Sequence, residues 1–259
     1  MKRKLYTKNL RADLLKEVAG TGGLYTAEEH ARVVELESAE RFRSRETLLR
    51  ASLSENAEKL AALGYLIRHA GRGDFRGVLS LGAGDCVLEY LLKLSLPESV
   101  RVVATDFNPY LIDKAKLLLP GIMPATFDFH KDRVEDLRKT LGVDFDLAVF
   151  FGSAYVMDDE QFIRLFQGLK KIGVKQVIDF HAGFMDWKAL LSNAAGPLRG
   201  FAPLRRLLGK PPLDEEFLGK FHGYTRSRGE LRRLYKLGGV ASFRELEAGP
   251  YKYTAVCEF

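Results

Sequence analysis

The apolar positions of this chain switch between two periods, and the switch recurs along its length. The run V-L-S-L from Val78 ends at Gly82, and V-L-E-Y-L-L-K beyond it has the spacing of an amphipathic helix. The next apolar run, R-V-V-A-T-D, closes on Asp106. Asn108 and Pro109 follow, a capping residue and a proline suited to a first helical turn, and Leu111, Ile112, Ala115, Leu118 and Leu119 then share one helical face. A third strand is predicted over residues 125–130, where Ala125, Phe127 and Phe129 alternate with Thr126, Asp128 and His130 as at a sheet edge. Residues 145–151 are nearly all apolar, the pattern of a central parallel strand covered on both faces. Asp158 caps a helix carrying Phe162, Leu165, Phe166 and Leu169, and residues 174–180 make a fifth strand. Near the end, Ser227-x-x-Glu230 caps a helix bearing Leu231, Leu234 and Tyr235. Residues 240–246 and 251–259 then read as two strands separated only by E-A-G-P, a link short enough for antiparallel strands and too short for parallel ones.

Helical patterns between successive strands imply right-handed crossovers. The expected fold is therefore α/β, a doubly wound, mostly parallel seven-stranded sheet with an antiparallel C-terminal hairpin, plus an N-terminal helical cap. The cap is expected over residues 1–73, helical and separate from the sheet. Thr26-x-x-Glu29 stands before Ala31, Val33, Val34 and Leu36, and Ser52-x-x-Glu55 before Leu60, Leu63, Leu66 and Ile67, two capping-box patterns. The main domain then covers residues 74–259. Within it, residues 183–226 exceed an ordinary connecting helix and mix Trp187, Phe201, Phe217 and Phe221 with arginines and prolines, which reads as an insert lying over a pocket, as a helical subdomain packed on the sheet, or as an attachment to an acidic membrane surface.

Composition narrows the class. With 46% hydrophobic and 29% charged residues the chain is globular rather than disordered. No apolar run approaches the roughly 18 residues of a membrane span, and the basic start M-K-R-K lacks the apolar segment of a signal peptide, so a cytoplasmic protein is expected. Cys86 and Cys257 form no metal or redox spacing and read as reduced core residues. The net charge of +6 is local: residues 199–236 hold ten Lys or Arg against four acids, and the remainder balances. That excess suits either an anionic partner or a solvated helix face.

The chemistry gathers at residues 78–106. Glycines after a strand let the backbone turn and approach a ligand closely, and the helix that follows offers unpaired N–H groups. A carboxylate at the end of the next strand, Asp106, can accept both hydroxyls of a ribose, so the ligand is expected to contain a nucleoside. The glycine loop Gly82-Ala83-Gly84, Asp106, Asp132 within H-K-D-R-V-E-D-L, the strand F-D-L-A-V-F-F-G-S and the closing hairpin together resemble the class I S-adenosylmethionine-dependent methyltransferases. That resemblance implies S-adenosyl-L-methionine as cofactor. It implies a binding set of Gly82, Ala83, Gly84, Asp85, Asp106, Phe107, Asp132, Arg133 and Phe151, with Asp132 toward the adenine amino group. No metal is implied. Phe107 lies against the adenine or packs in the core. The sequence departs from the family at two positions: Ser80 stands where members commonly carry an acid, and Cys86 where they carry a third glycine. Asp85 is a nearby carboxylate that could answer the methionine ammonium, or an acid stabilising the helix that follows it.

For the transfer itself, groups at the carboxyl ends of the fourth and fifth strands are the candidates. His181 is placed as general base, or as a histidine bonded to a loop carbonyl. Ser153 and Tyr155 would orient the acceptor, and His222, Tyr224 and Arg226 would reach it from the insert. The expected function is methyl transfer to oxygen or nitrogen of a small or medium acceptor bearing an acidic or phosphate group, glycan- and lipid-linked acceptors included. An RNA methyltransferase is one alternative, although F-G-S-A-Y after the fourth strand is unlike the N-P-P-Y tetrad of base amino methylation. A non-catalytic S-adenosylmethionine-binding protein is another. A nicotinamide-dependent oxidoreductase ranks last, because the third glycine of its G-x-G-x-x-G would fall at Val87. Nothing in the pattern indicates an oligomeric state.

Overall fold

The structure is a computed structural model that describes residues 3–6, 32, 35, 39–185 and 221–259; for residues 3–6, 221 and 222 it describes the backbone alone. Strand β1 (Arg3–Tyr6) opens the described chain and is followed by helices α1 (Arg45–Glu55) and α2 (Leu60–Arg72). The alternating part runs β2 (Gly77–Leu81), α3 (Val87–Leu94), β3 (Arg101–Asp106), α4 (Pro109–Leu118), β4 (Met123–Thr126) and α5 (Val134–Leu141). It continues with β5 (Leu147–Phe151), α6 (Asp159–Lys171) and β6 (Gln176–Phe180). The last elements are β7 (Phe221–Thr225), α7 (Arg228–Leu237), β8 (Ser242–Ala248) and β9 (Tyr251–Glu258).

Seven strands form one sheet in the order β4-β3-β2-β5-β6-β9-β8. From β4 to β6 neighbouring strands are parallel, while β9 runs antiparallel to both β6 and β8. The chain winds outward from β2 through β3 to β4, then returns to lay β5 on the other side of β2. That reversal opens a crevice beyond the carboxyl ends of β2 and β5, the place where open α/β sheets bind ligands.

Alternation along the strands divides the apolar residues between two faces. Val78, Val102, Val149 and Ile178 share a core with Leu48, Leu63 and Leu66 of the first two helices and with Leu92 and Ile112. Leu79, Leu81, Val103 and Val177 share the other with Phe162, Phe166, Leu234 and Tyr235. Among the described residues, the first face is thus completed by α1 and α2. On the second, Phe162 and Phe166 stack at 4.6 Å and Phe166 and Phe150 at 5.9 Å between ring centroids, an aromatic column that fixes α6 against the sheet.

Several boundaries differ from the sequence expectation. The third strand of the alternating part stops at Thr126 instead of extending to residue 130. Beyond Phe127 the Asp128 carboxylate accepts the His130 N–H at 2.8 Å and the Asp132 carboxylate accepts the Asp128 N–H at 2.7 Å, so side-chain turn chemistry replaces strand pairing. Ser52 starts no helix. It is buried in α1, which begins at Ser44 with a capping box completed by Thr47, while Asn56 ends α1 by donating to the Ser52 carbonyl at 3.0 Å. The fifth strand begins at Gln176 and the penultimate one at Ser242, each two residues later than expected. The first residues are not all helical: Arg3–Tyr6 pairs antiparallel with Phe221–Thr225 in a separate two-stranded sheet. The Thr26-x-x-Glu29 pattern and residues 186–220 of the insert lie outside the described residues.

Candidate active site

The loop after β2 takes its shape from three alternate left-handed positions. Gly82 has φ +74°, Gly84 φ +61° and Cys86 φ +62°. Cys86 is the one non-glycine residue of positive φ among the described residues, so the position of the missing third glycine keeps a glycine's backbone conformation at a cost of about 1 kcal/mol. A Cβ on Gly82 would overlap the Cβ of Ser153, which leaves β5, whereas a Cβ on Gly84 would meet nothing within 4 Å. The first glycine therefore brings β2 and β5 together, and the second leaves that side of the loop open. Ser153 reinforces the closure by donating its hydroxyl to the Leu81 carbonyl.

Asp106, at the end of β3, stands over this loop. Its Oδ2 accepts the Gly84 N–H at 2.9 Å and its Oδ1 the Asn108 N–H at 3.0 Å, while the Ala83 N–H bonds the Thr105 carbonyl at 2.7 Å. The Phe107 N–H also bonds this carboxylate, which leaves it part of its acceptor capacity for a ribose hydroxyl. Burial pushes the Asp106 pKa up to about 6, against the opposing effect of the Asn108, Gly84 and Phe107 N–H donors. Phe107, half-buried, follows at once.

The loop's other acids divide sharply. Asp85 is committed: its Oδ1 caps the Val87 N–H at 3.2 Å and its Oδ2 is ion-paired with Arg41, just before α1. Glu89, on the first turn of α3, is fully buried. Its Oε1 accepts the Ser80 hydroxyl at 2.7 Å, and its Oε2 has no hydrogen-bond partner. Burial raises its pKa to about 7. Sequence reasoning missed this residue because a glutamate in V-L-E-Y-L-L-K reads as the solvent side of a helix. The available signal was Ser80, the one polar side chain of an apolar strand.

The remaining cofactor candidates are differently placed. The Asp132 carboxylate closes the turn after Phe127, and exposed Arg133 pairs with Glu135 at 3.5 Å. Both line a cavity of about 30 Å³ with Phe129 and Arg164, water-sized and too small for an adenine ring. Phe151 is in the core, stacked on Phe180 at 5.0 Å.

At the exit of β6 lies a buried polar group. His181 is 1% exposed; its Nδ1 is 3.0 Å from Asp179 Oδ2, and its Nε2 has no hydrogen-bond partner. The Tyr235 hydroxyl, from α7, donates to the same Asp179 oxygen at 2.7 Å, and burial keeps that phenol neutral by raising its pKa. A carboxylate oxygen only accepts, so the imidazole proton is assigned to Nδ1 and the lone pair to Nε2. Tyr155 packs beside this group. A Cβ on Gly183 would overlap the Cβ of Tyr155 and one on Gly223 its ring, so two glycines let the β6 exit and β7 close on this side chain. Burial pushes the Tyr155 phenol up to about 12.

Arg226 is a structural cation. It is 3% exposed, donates to the Met157 carbonyl at 2.6 Å and to Asp159 at 3.2 Å, and lies between the rings of Tyr224 and Phe162. Arg233 also pairs with Asp159, and Arg228 and Arg232 with Glu245. Four of the five basic residues at the described end of the basic segment thus face acids of the same chain. The His222 backbone lies in β7, and its side chain is outside the described residues. Among the described residues no cluster of potential ligands could hold a metal ion, and no helix is long and apolar enough to cross a membrane.

A scan against family models and a search of curated proteins find no match to this sequence. Solved structures do match. The S-adenosylmethionine-dependent methyltransferase SibL is 18% identical with a TM-score of 0.53 over 94% of this chain. Human N-acetylserotonin methyltransferase, solved with S-adenosylmethionine, is 17% identical with a TM-score of 0.54 over 95% of this chain. The chain has the class I methyltransferase fold. PigF, solved with S-adenosylhomocysteine, shares that fold at 14% identity and a TM-score of 0.53. This chain spans 64% of the length of SibL and of the human enzyme, just under two thirds.

Proposed function

We propose that the protein is an S-adenosylmethionine-dependent methyltransferase that methylates a hydroxyl group of a small acceptor. The cofactor half is supported by the open glycine loop, the Asp106 carboxylate at the end of β3 beside it, and the shared fold. Gly82, Ala83, Gly84, Asp106 and Phe107 would hold the nucleoside. Asp128, two residues past β4 and less exposed than Asp132, is better placed than Asp132 to meet the adenine amino group. When bound, the cofactor supplies a methyl group already activated by its sulfonium.

The observation that carries the acceptor half is the buried His181–Asp179 pair. A hydroxyl acceptor must lose a proton as it attacks, and an imidazole with Nδ1 held by a carboxylate and Nε2 unprotonated is built to take it. Tyr155 and Tyr224 would flank the acceptor, and burial around them keeps water out. An acidic or phosphate group on the acceptor is supported by the basic residues at 199–220; the described arginines beyond them are already paired. The same pairing weakens the case for RNA, which needs many free cations on one surface.

Isothermal titration with S-adenosylmethionine, followed by transfer of labelled methyl to a panel of small phenols and hydroxy acids, tests this reading. Binding and transfer to an oxygen are expected. A well-folded protein that binds no S-adenosylmethionine, or methylates only nitrogen, overturns it.

A further inference from the structure

Ser80 and Glu89 meet from two elements. In the proteins this sequence resembles, the strand position of Ser80 commonly holds an acid; here a serine hydroxyl points at a carboxylate supplied by α3, 2.7 Å away. Glu89 is fully buried with Oε2 unpartnered, and no ion pair involves it among the described residues. Lys59 is the weakest of the influences on its ionisation, and Asp85 opposes it. A second unmatched polar atom lies close by: the Tyr251 hydroxyl lacks a partner, feels the charge of Glu89 and stands against Gly152 at the exit of β5. Buried polar atoms are almost always paired, so the unpartnered Oε2 calls for a partner that a ligand can bring.

The rival carboxylates are accounted for. Asp85 is held by Arg41 and the Val87 N–H, and Asp106 by Gly84, Asn108 and its place toward the ribose. We propose that Glu89 binds the α-ammonium of the cofactor's methionine, with the Ser80 hydroxyl positioning its carboxylate, so that the acid absent from β2 is transposed onto α3. The proposal rests on the methyltransferase reading and adds to it a binding residue on an element where none was expected.

The test uses the full chain and three ligands: S-adenosylmethionine and S-adenosylhomocysteine, which carry the ammonium, and 5′-methylthioadenosine, which lacks the amino-acid portion. Glu89→Gln should weaken the first two by roughly 10- to 100-fold, the range of a lost charge-assisted hydrogen bond, and leave the third unchanged. The transposed variant Ser80→Asp/Glu89→Ala should recover most of the loss, which a purely structural role for Glu89 would not allow. Wild-type binding should also release a proton near pH 6.5, seen as a buffer-dependent enthalpy that Glu89→Gln lacks. Equal losses for all three ligands, or unchanged affinity in Glu89→Gln, overturn the proposal while leaving the methyltransferase reading intact. A wild type that binds none of the ligands overturns both.

Discussion

Glu89 and Asp106 carry carboxyl groups that folding pushes in the same direction, up to about 7 and about 6 from ordinary values of 4.5 and 3.8. An acid whose folded pKa is raised adds stability only while it stays protonated. For Glu89 that contribution is complete below pH 4.5 and is lost as the pH climbs to about 7. Glu89→Gln should therefore be more stable than the wild type at pH 8, by up to roughly 3 kcal/mol, and equal to it near pH 4. Thermal unfolding of the two proteins across that range measures the difference, and a gap that does not change with pH would contradict the buried charge. Glu135, Asp146, Glu230 and Glu245 are shifted the other way, so the wild type alone shows only the sum. His181 gives the second prediction at this scale. His181→Ala should lower kcat by about 10²- to 10⁴-fold while cofactor affinity stays within error. Asp179→Asn should lower kcat too, because an amide can present its NH2 to Nδ1 and turn the proton toward Nε2. A wild-type rate in either variant would remove the pair from the mechanism.

At the scale of elements, the sequence shows a glycine where a turn needs one but not what the glycine admits. Gly183 and Gly223 lie 40 positions apart, and neither belongs to a recognisable motif; the structure brings the first against the Cβ of Tyr155 and the second against its ring. Gly223→Ala should cost about 1–3 kcal/mol through overpacking. Its thermal midpoint should fall and acceptor turnover with it, while S-adenosylmethionine affinity is unaffected. An unshifted midpoint would show that β7 does not close on Tyr155. The two misjudged local motifs have a common cause. Ser52-x-x-Glu55 meets the spacing of a capping box, but burial of Ser52 and the Asn56 bond place it at the end of a helix rather than the start. The alternation over residues 125–130 continues past Thr126 although the backbone does not, because two aspartates capture the N–H groups that a longer strand would need.

At the scale of the molecule, the largest addition is the pairing of Arg3–Tyr6 with Phe221–Thr225, which joins the start of the chain to the segment that packs on Tyr155. Removing residues 1–6 should leave the seven-stranded sheet and cofactor affinity unchanged, raise hydrogen exchange in β7, and lower kcat/KM for the acceptor. Unchanged protection of residues 221–225 would show that β7 holds its place without β1.

Periodicity is a property of neighbours along the chain, and it was enough to order the strands and helices, the parallel sheet and its antiparallel close. The places of the glycine loop and Asp106 in the fold were legible for the same reason, since strand, turn, helix and acid follow one another within 29 residues, from Val78 to Asp106. Tertiary structure alone decided the rest. Whether Glu89 faces water or Ser80, whether Arg226 is free or buried on Asp159, and whether the Tyr235 hydroxyl reaches Asp179 all depend on the approach of separate segments and on the loss of solvent around them. Neither leaves a mark in local spacing. Ser80 therefore appears in the sequence only as a missing acid, and it takes the packing of α3 on β2 to show the acid supplied from the other side.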